Sequence, residues 1–345
     1  MNDSRTRHRI RRRLLAGACL SAALVLAACG NKHDVLSAPG TKSFTVMLDF
    51  FPNADHAALY SGISHGYFRA AGLDVKPETP ADPSEPLKLL AAGKVDMAIS
   101  YEPELLLARD AGLKVVSIGA LVQRPLTSII ALPGRRVQRV ADLAGKRVGT
   151  AGIAYQAAEL RTALAHAGVR AGSVREVNVG FNLIPAMLSK QVDATLGGFW
   201  NYEGIQLRLA HKRPVVIPVD QAGVPTYDEL VLVVRTAEAR QRGQDLRAFL
   251  QALTRGERAV RADPAAAADE LVKASPTLER KLQLESIKQT LGAALPSDQS
   301  KPFGWQAPEA WATFARWMFS NKLLHNDPSG GLPPYTNEFL PGQGI

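Results

Sequence analysis

The chain has 345 residues, with 41 Lys+Arg against 32 Asp+Glu and a formal net charge of +9. Much of that excess is local: Arg5, Arg7, Arg9, Arg11, Arg12 and Arg13 crowd the first stretch, and from residue 29 onward 35 Lys+Arg face 31 Asp+Glu. No basic run interleaved with aromatics follows, which argues against a nucleic-acid partner, and with Cys19 and Cys29 both near the start, no thiol remains in the body for a disulfide or a metal.

The first 28 residues read as an address rather than as fold. A basic segment precedes "LLAGACLSAALVLAA", an apolar run too short for a stable membrane span. It closes on "LAAC", which resembles the lipobox of bacterial lipoproteins. The expected outcome is cleavage after Ala28 and a diacylglycerol anchor on Cys29. Residues 29 to 43 are polar and turn-rich, as a tether between lipid and folded body should be. The 317 residues left after cleavage are enough for two lobes with cores of their own.

From "FTVMLDF" onward, β-rich runs alternate with helical patterns, which predicts an α/β fold with mostly parallel strands. Strands are expected at 44–49, 73–76, 96–100, 115–121, 127–132, 146–150, 174–178, 193–197, 215–219 and 229–235. Helices are expected at about 53–71, 84–92, 102–111, 155–167, 182–190 and 201–210. Residues 89–118 and 187–218 share one plan: a helix end, Val-Asp, a strand, an aromatic-plus-glutamate turn, a helix and a Val-Val strand. Two copies of that plan point to two similar lobes facing each other. Further on, Leu246, Phe249, Leu250 and Leu253 keep helical spacing, "DPAAAADELVKASP" opens a helix with proline at its start, and Trp311, Phe314, Ala315 and Met318 form an apolar stripe read as packing.

Catalytic apparatus is sparse. "GISHG" (residues 62–66) fits the G-x-S-x-G pattern, but a nucleophile elbow needs a strand directly before its serine, and Ser64 is expected far along a helix. "AGKR" lacks the upstream glycine and the hydroxyl of a P-loop. No Cys/His cluster suggests a metal, and no cofactor is implied.

The informative residues sit in turns at the carboxyl ends of strands, where open α/β sheets hold their ligands. Asp49, Phe50 and Asn53 follow the first strand. Adjacent strand side chains point to opposite faces, so Phe50 and Phe51 cannot both be core. Asn53 or Asp55 can cap the next helix, and His56 is read as a packing histidine rather than a base. In "TPADPSEP", Asp82, Pro83 and Glu85 make a capping-box arrangement, and Ser84 beside them is expected among the ligand contacts. "ISYEPE" ends the third strand with Ser100, Tyr101 and Glu102. In the second half, Tyr155 follows "GTAGIA", and "LGGFWNYEG" brings Gly198, Trp200, Asn201 and Glu203. Paired glycines there predict a close backbone approach. Glu203 is the strongest candidate: a glutamate among aromatics bonds the ring nitrogen and amino group of an aminopyrimidine at two points.

"LDFFPNADHAALYSGISHGYFRAAGLDV", "DPSEPLKLLAAGKVDMAISYEPELLLARDAGLKVVSI", "GTAGIAYQ", "VGFNLIPAMLSKQVDATLGGFWNYEGIQL" and "GVPTYDELVLVV" together resemble the pyrimidine-precursor branch of the NMT1/ThiY-like solute-binding proteins, over about residues 44 to 236. The resemblance implies a type II periplasmic binding protein. Its two α/β lobes would be joined by crossover strands at 126–132 and 229–234, with lobe one at 44–130 plus 230–345 and lobe two at 131–229. It also implies a non-enzymatic, monomeric lipoprotein at the cell envelope. Such a protein captures a formylaminopyrimidine-like or other planar heterocycle and delivers it to an ABC permease. Carried over by motif, Phe50, Asn53, Tyr101, Trp200 and Glu203 line the pocket, and Tyr155 and Tyr227 close it. Near relatives usually have Trp where this chain has Phe50, and Phe stacks with less area. Fungal chains of similar sequence are thiamine-pyrimidine synthases that hold pyridoxal phosphate on a lysine and consume a histidine. At those positions this chain has Ser100 and Glu104.

Overall fold

In the computed structural model, residues 40–344 are described; the leader, Cys29 and most of the tether lie outside them. Two five-stranded sheets carry the fold. The first sheet contains β1 (Lys42–Met47), β2 (Leu73–Glu78), β3 (Met97–Ser100), β4 (Val115–Val122) and β10 (Leu230–Arg235), in the order β2-β1-β3-β10-β4. The second contains β5 (Thr127–Ala131), β6 (Arg147–Thr150), β7 (Arg175–Asn178), β8 (Ala194–Phe199) and β9 (Val215–Pro218), in the order β7-β6-β8-β5-β9.

The two orders are the same order. β1, β2, β3 and β4 of one sheet correspond to β6, β7, β8 and β9 of the other, and each sheet receives one strand from the far side of the chain. That strand, β10 in the first and β5 in the second, is antiparallel to both of its neighbours, while the rest pair in parallel. The expectation of mostly parallel sheets therefore needs correction at one strand per sheet. The repeated plan at 89–118 and 187–218 falls on equivalent units: β3 and β4 with the helix α4 (Glu102–Asp110), and β8 and β9 with α7 (Glu203–Leu209).

The predicted helix over 53–71 is three pieces. A 3-10 turn at Ala54–His56 leads into α1 (Ala57–Ser64), and Gly66, at φ 68°, breaks the chain before α2 (Tyr67–Ala70). Only glycine takes that left-handed backbone freely. The capping chemistry expected at 82–85 is present, with Glu85 accepting the amides of Ala81 and Asp82, but as a turn ahead of α3 (Pro86–Ala91). Farther along run α5 (Gln156–His166), α6 (Leu183–Leu188), α8 (Thr236–Gln241), α9 (Gly243–Ala262), α10 (Pro264–Ala274), α11 (Arg280–Ala294) and α12 (Pro308–Ser320).

On one face of the first sheet, Phe44 stacks on Phe249 with ring centroids 5.2 Å apart, and Leu59, Phe68 and Leu253 fill the space around them. The stripe Trp311, Phe314, Ala315 and Met318 is buried with Leu90, Leu105 and Val233 on the other face. α1 and α9 meet where Gly62 and Gly256 allow it: a methyl group on Gly256 would stand 2.1 Å from the Ala58 carbonyl oxygen, and one on Gly62 would meet the Phe68 ring at 2.6 Å. The G-x-S-x-G match is thus explained by packing. Ser64 is the exposed last residue of α1.

Candidate functional site

The carboxyl ends of β1, β3, β6 and β8 and the start of β5 surround a narrow cavity of about 30 Å³ between the two sheets. Asp49, Phe50, Asn53 and Tyr101 line it from the first sheet; Tyr155, Gln156, Phe199, Tyr202 and Glu203 line it from the second.

On the first side the residues are locked by one another. The Asn53 side chain accepts the amide of Asp55 at 2.8 Å and caps the 3-10 turn, and the Asn53 amide donates to His56 Nδ1 at 3.2 Å. An accepting Nδ1 leaves the proton on Nε2, which donates to Asp49 Oδ1 at 2.8 Å. Tyr101 Oη donates to Asp49 Oδ2 at 2.8 Å. Asp49 is therefore a buried carboxylate held by two donors, and His56 and Tyr101 fix its orientation.

On the second side, Tyr155 lies 6.0 Å from Tyr101, ring centroid to ring centroid, so an aromatic pair spans the cavity floor. Glu203 opens α7 and accepts the Phe199 amide at 2.7 Å. Desolvation pushes its pKa up to about 7, against the pull of that amide. Near neutral pH it exists both as acid and as anion. Gly197 has φ 112°, and a Cβ there would come within 2.5 Å of Gln156 Nε2, so the predicted close approach is to that amide, whose oxygen in turn accepts Ala151 N–H. Gly198 is tight against Ile130 instead.

The cavity thus gathers Asp49, Phe50, Asn53, Tyr101, Tyr155 and Glu203 from the expected set, with His56 directly behind Asp49. Trp200 lies outside it: its indole donates to Pro125 O at 3.0 Å, and the Arg124 guanidinium sits 5.1 Å from its ring. Phe199 and Tyr202 supply the aromatic surface in its place. Side-chain alternation at the end of β8 gives the reason, since Phe199 and Trp200 must face opposite ways. Ser84 belongs to the half-exposed turn before α3, where its hydroxyl accepts from Lys88.

The other expected residues hold the lobes rather than the cavity. Asn201, from the second sheet's side, donates to Asp55 at 2.6 Å and to Thr290 of α11 at 2.6 Å, and Gln283 of α11 donates to the Tyr202 hydroxyl at 3.0 Å. Glu102 accepts the Asp228 amide at 2.7 Å, and Asp228 accepts the Trp311 indole at 2.8 Å. The Tyr227 hydroxyl lies 2.8 Å from Glu159 and 3.2 Å from Glu229. Glu229, just before β10, accepts the amides of Leu126 and Thr127 at 2.7 and 2.9 Å and the Thr127 hydroxyl at 2.9 Å. One carboxylate thereby ties together both segments that cross between the sheets, 123–126 and 219–229.

Burial pushes Asp228 and Glu229 up to about 7 and Asp55 up to about 6, and it raises Glu159 and, with the charge of Asp228, Glu102 well above the ordinary carboxylate range. For acids whose folded pKa is raised, the folded chain binds protons more tightly than the unfolded one. The stabilisation is complete below about pH 4 and is lost as pH rises through about 7. Depressed carboxyls such as Asp193 and Asp245 have the opposite slope, but act only in the acid range. Thermal unfolding is therefore expected several degrees higher near pH 5 than near pH 8, with the difference smaller in Glu229→Gln. A midpoint that rises over that interval would contradict the assignment.

Two like α/β lobes around a lined cleft define the periplasmic-binding-protein fold. The alkanesulfonate-binding protein SsuA of Xanthomonas axonopodis pv. citri superposes with a TM-score of 0.66 at 18% identity, over 84% of this chain and 96% of that one. The chain belongs to the NMT1/THI5-like family, whose model matches residues 53–267. It is 34% identical, over 88% of its length and 93% of the relative, to a formylaminopyrimidine-binding protein of Halalkalibacterium halodurans. A 4-amino-5-hydroxymethyl-2-methylpyrimidine phosphate synthase of Legionella pneumophila is 26% identical, over 86% and 92% of the two chains.

Proposed function

We propose that this chain is the solute-binding lipoprotein of an ABC importer and captures an unphosphorylated aminopyrimidine, of the formylaminopyrimidine kind, by closing two lobes around it. The observation that carries the reading is the lining of the cavity. Phe50, Tyr101, Tyr155, Phe199 and Tyr202 offer flat faces and Asp49 and Glu203 offer carboxyls, while no lysine or arginine lines it among the described residues. Such a surface favours a planar ring with amino groups and repels a phosphate.

The ring stacks between aromatics from both lobes, and Glu203 meets its nitrogen and amino group together. Stacking contributes about 0.5–1.5 kcal/mol per pair and a charge-assisted hydrogen bond about 1.5–3 kcal/mol. Two of each, with the area buried, reach the roughly −8 kcal/mol of micromolar binding before ordering costs. Closure is a population shift driven by preference for the closed state. In this reading lobe one is 44–130 plus 230–345 and lobe two is 131–229. Cys29 carries the lipid, the protein acts as a monomer outside the cytoplasmic membrane, and the ligand leaves unaltered for a permease.

The synthase reading has relatives in its favour, but Ser100 and Glu104 stand where that pattern has lysine and histidine, and here the Ser100 hydroxyl donates to Glu104 at 2.6 Å. A thermal-shift panel separates the two. Formylaminopyrimidine is expected to stabilise the protein, and the phosphate ester of a hydroxymethylpyrimidine to bind at least about tenfold more weakly than its free alcohol. Equal binding of the ester, or an imine adduct with pyridoxal phosphate in the mass spectrum, overturns the proposal.

A further inference from the structure

At about 30 Å³ the inner cavity offers the room of a single water molecule, whereas pockets that hold organic ligands start at about 300 Å³. The floor rings of Tyr101 and Tyr155 stand 6.0 Å apart, against the roughly 7 Å needed to pass a flat ring between two others at van der Waals distance. The walls must therefore part before a heterocycle enters. What holds them together decides how readily they do.

Three phenylalanines join the walls at the outer end. Phe50 and Phe51 follow β1, and Phe181 follows β7. The Phe181 ring lies 4.4 Å from Phe50 and 4.6 Å from Phe51, centroid to centroid. Both sides of this junction are braced. Gly180 takes φ 53° and gives its amide to Asn178 Oδ1 at 2.9 Å, which fixes the turn carrying Phe181. The Phe51 carbonyl accepts the Asn53 side chain at 3.1 Å, and Pro52 stiffens the turn between them. Phe51 is 49% exposed, so the junction faces solvent. Thr127, which donates to Glu229 beside the two crossing segments, instead lines the inner cavity. Parting hinged at those segments opens the outer end farther than the inner one. A gap that admits a ring at the floor therefore breaks the phenylalanine contacts.

We propose that Phe181 is a latch: packed on Phe50 and Phe51, it shuts the cleft on itself, and the ligand enters only when that packing is undone. The inference rests on the aminopyrimidine reading of the cleft and adds what limits its loading. Latch and seated ring exclude each other, so the latched molecules are withdrawn from capture. Apparent affinity is then the intrinsic affinity scaled by the unlatched fraction. Phe181 and Phe51 stand outside the inner cavity, on the outer hollow. Removing either is expected to tighten binding by speeding association, the reverse of losing a ligand contact, which speeds dissociation.

Stopped-flow fluorescence with formylaminopyrimidine on the full chain gives both rates. Phe181→Ala is expected to raise the association rate about tenfold, and Phe51→Ala about threefold, with dissociation within about twofold of the parent. The double variant should gain little beyond Phe181→Ala, because both changes remove one junction. Faster dissociation with unchanged association would make Phe181 a clamp on the ligand, and unchanged rates would make the packing idle; either result overturns the latch. A second arm needs no heterocycle. The amides of Ala151 and Phe199 are bonded to Gln156 and Glu203 at the inner cavity, and their hydrogen exchange should quicken in Phe181→Ala. Equal exchange in parent and variant refutes the latch whatever binds. If formylaminopyrimidine binds neither parent nor variants, the aminopyrimidine reading falls, and exchange alone decides the latch.

Discussion

Glu203→Gln is expected to weaken capture of an aminopyrimidine at least about tenfold. The amide keeps an oxygen for the Phe199 amide, which now lies 2.7 Å from the carboxylate, so the turn survives. What is lost is the transferable proton: the amide can still donate to the ring nitrogen and accept from the amino group, but only as a neutral pair without the charge assistance of a carboxyl. The carboxyl, with its pKa pushed up to about 7, also fixes a pH signature. The two-point contact contains one proton, shared between acid and ring. Above about pH 7 that proton must be taken up on binding, so affinity should fall with rising pH, approaching tenfold per unit. The glutamine variant should show no such slope. Calorimetry between about pH 6 and pH 9 checks both parts, and a flat profile for the parent protein removes Glu203 from the ring.

Gly256→Ala is expected to be the most damaging single-methyl change in the scaffold. The added carbon would stand 2.1 Å from the Ala58 carbonyl oxygen and 2.9 Å from the Gly62 nitrogen, both backbone atoms of α1. Backbone cannot swing aside as a side chain can, so α1 and α9 must separate. Overpacking costs about 1–3 kcal/mol, and this contact belongs at or beyond the upper end. The unfolding midpoint should drop by several degrees. Asp49, Asn53 and His56 are placed by the turn that leads into α1, so binding should weaken with it. Gly292→Ala is the control: it lies in α11 with open space around it, and alanine there should be neutral or stabilising. Equal melting of Gly256→Ala and the parent would show that the helices are not in contact as described.

The scaffold was largely legible because its strands are short apolar runs bounded by turn residues, and all ten are found near their expected places. Direction was less so. β5 and β10 run against their neighbours, and strand polarity leaves no mark on the composition of a buried run. In the site, Asp49, Tyr101 and Glu203 could be read because strand-end position alone puts a side chain near the cleft. Which way a turn residue faces is decided by backbone dihedrals, so Trp200 was favoured where Phe199 and Tyr202 line the cavity. Glu102, Asn201 and Tyr227 were drawn toward the ligand by the same logic, yet their partners, Asp228, Thr290 and Glu159, lie far along the chain. Gln156 is signalled by its place one residue after Tyr155 at the start of a helix, where a side-chain amide reaches the neighbouring backbone.

The tie between Glu229 and the amides of Leu126 and Thr127 bears on how the cleft opens. Two separate straps would let the halves twist and slide as well as swing. Fastened to each other, they would bend as a single ribbon in the proposed closure, which leaves a rocking motion about one axis. Each opening then returns the opposing walls to the same register, and the tyrosines that face each other across the floor meet again without a search.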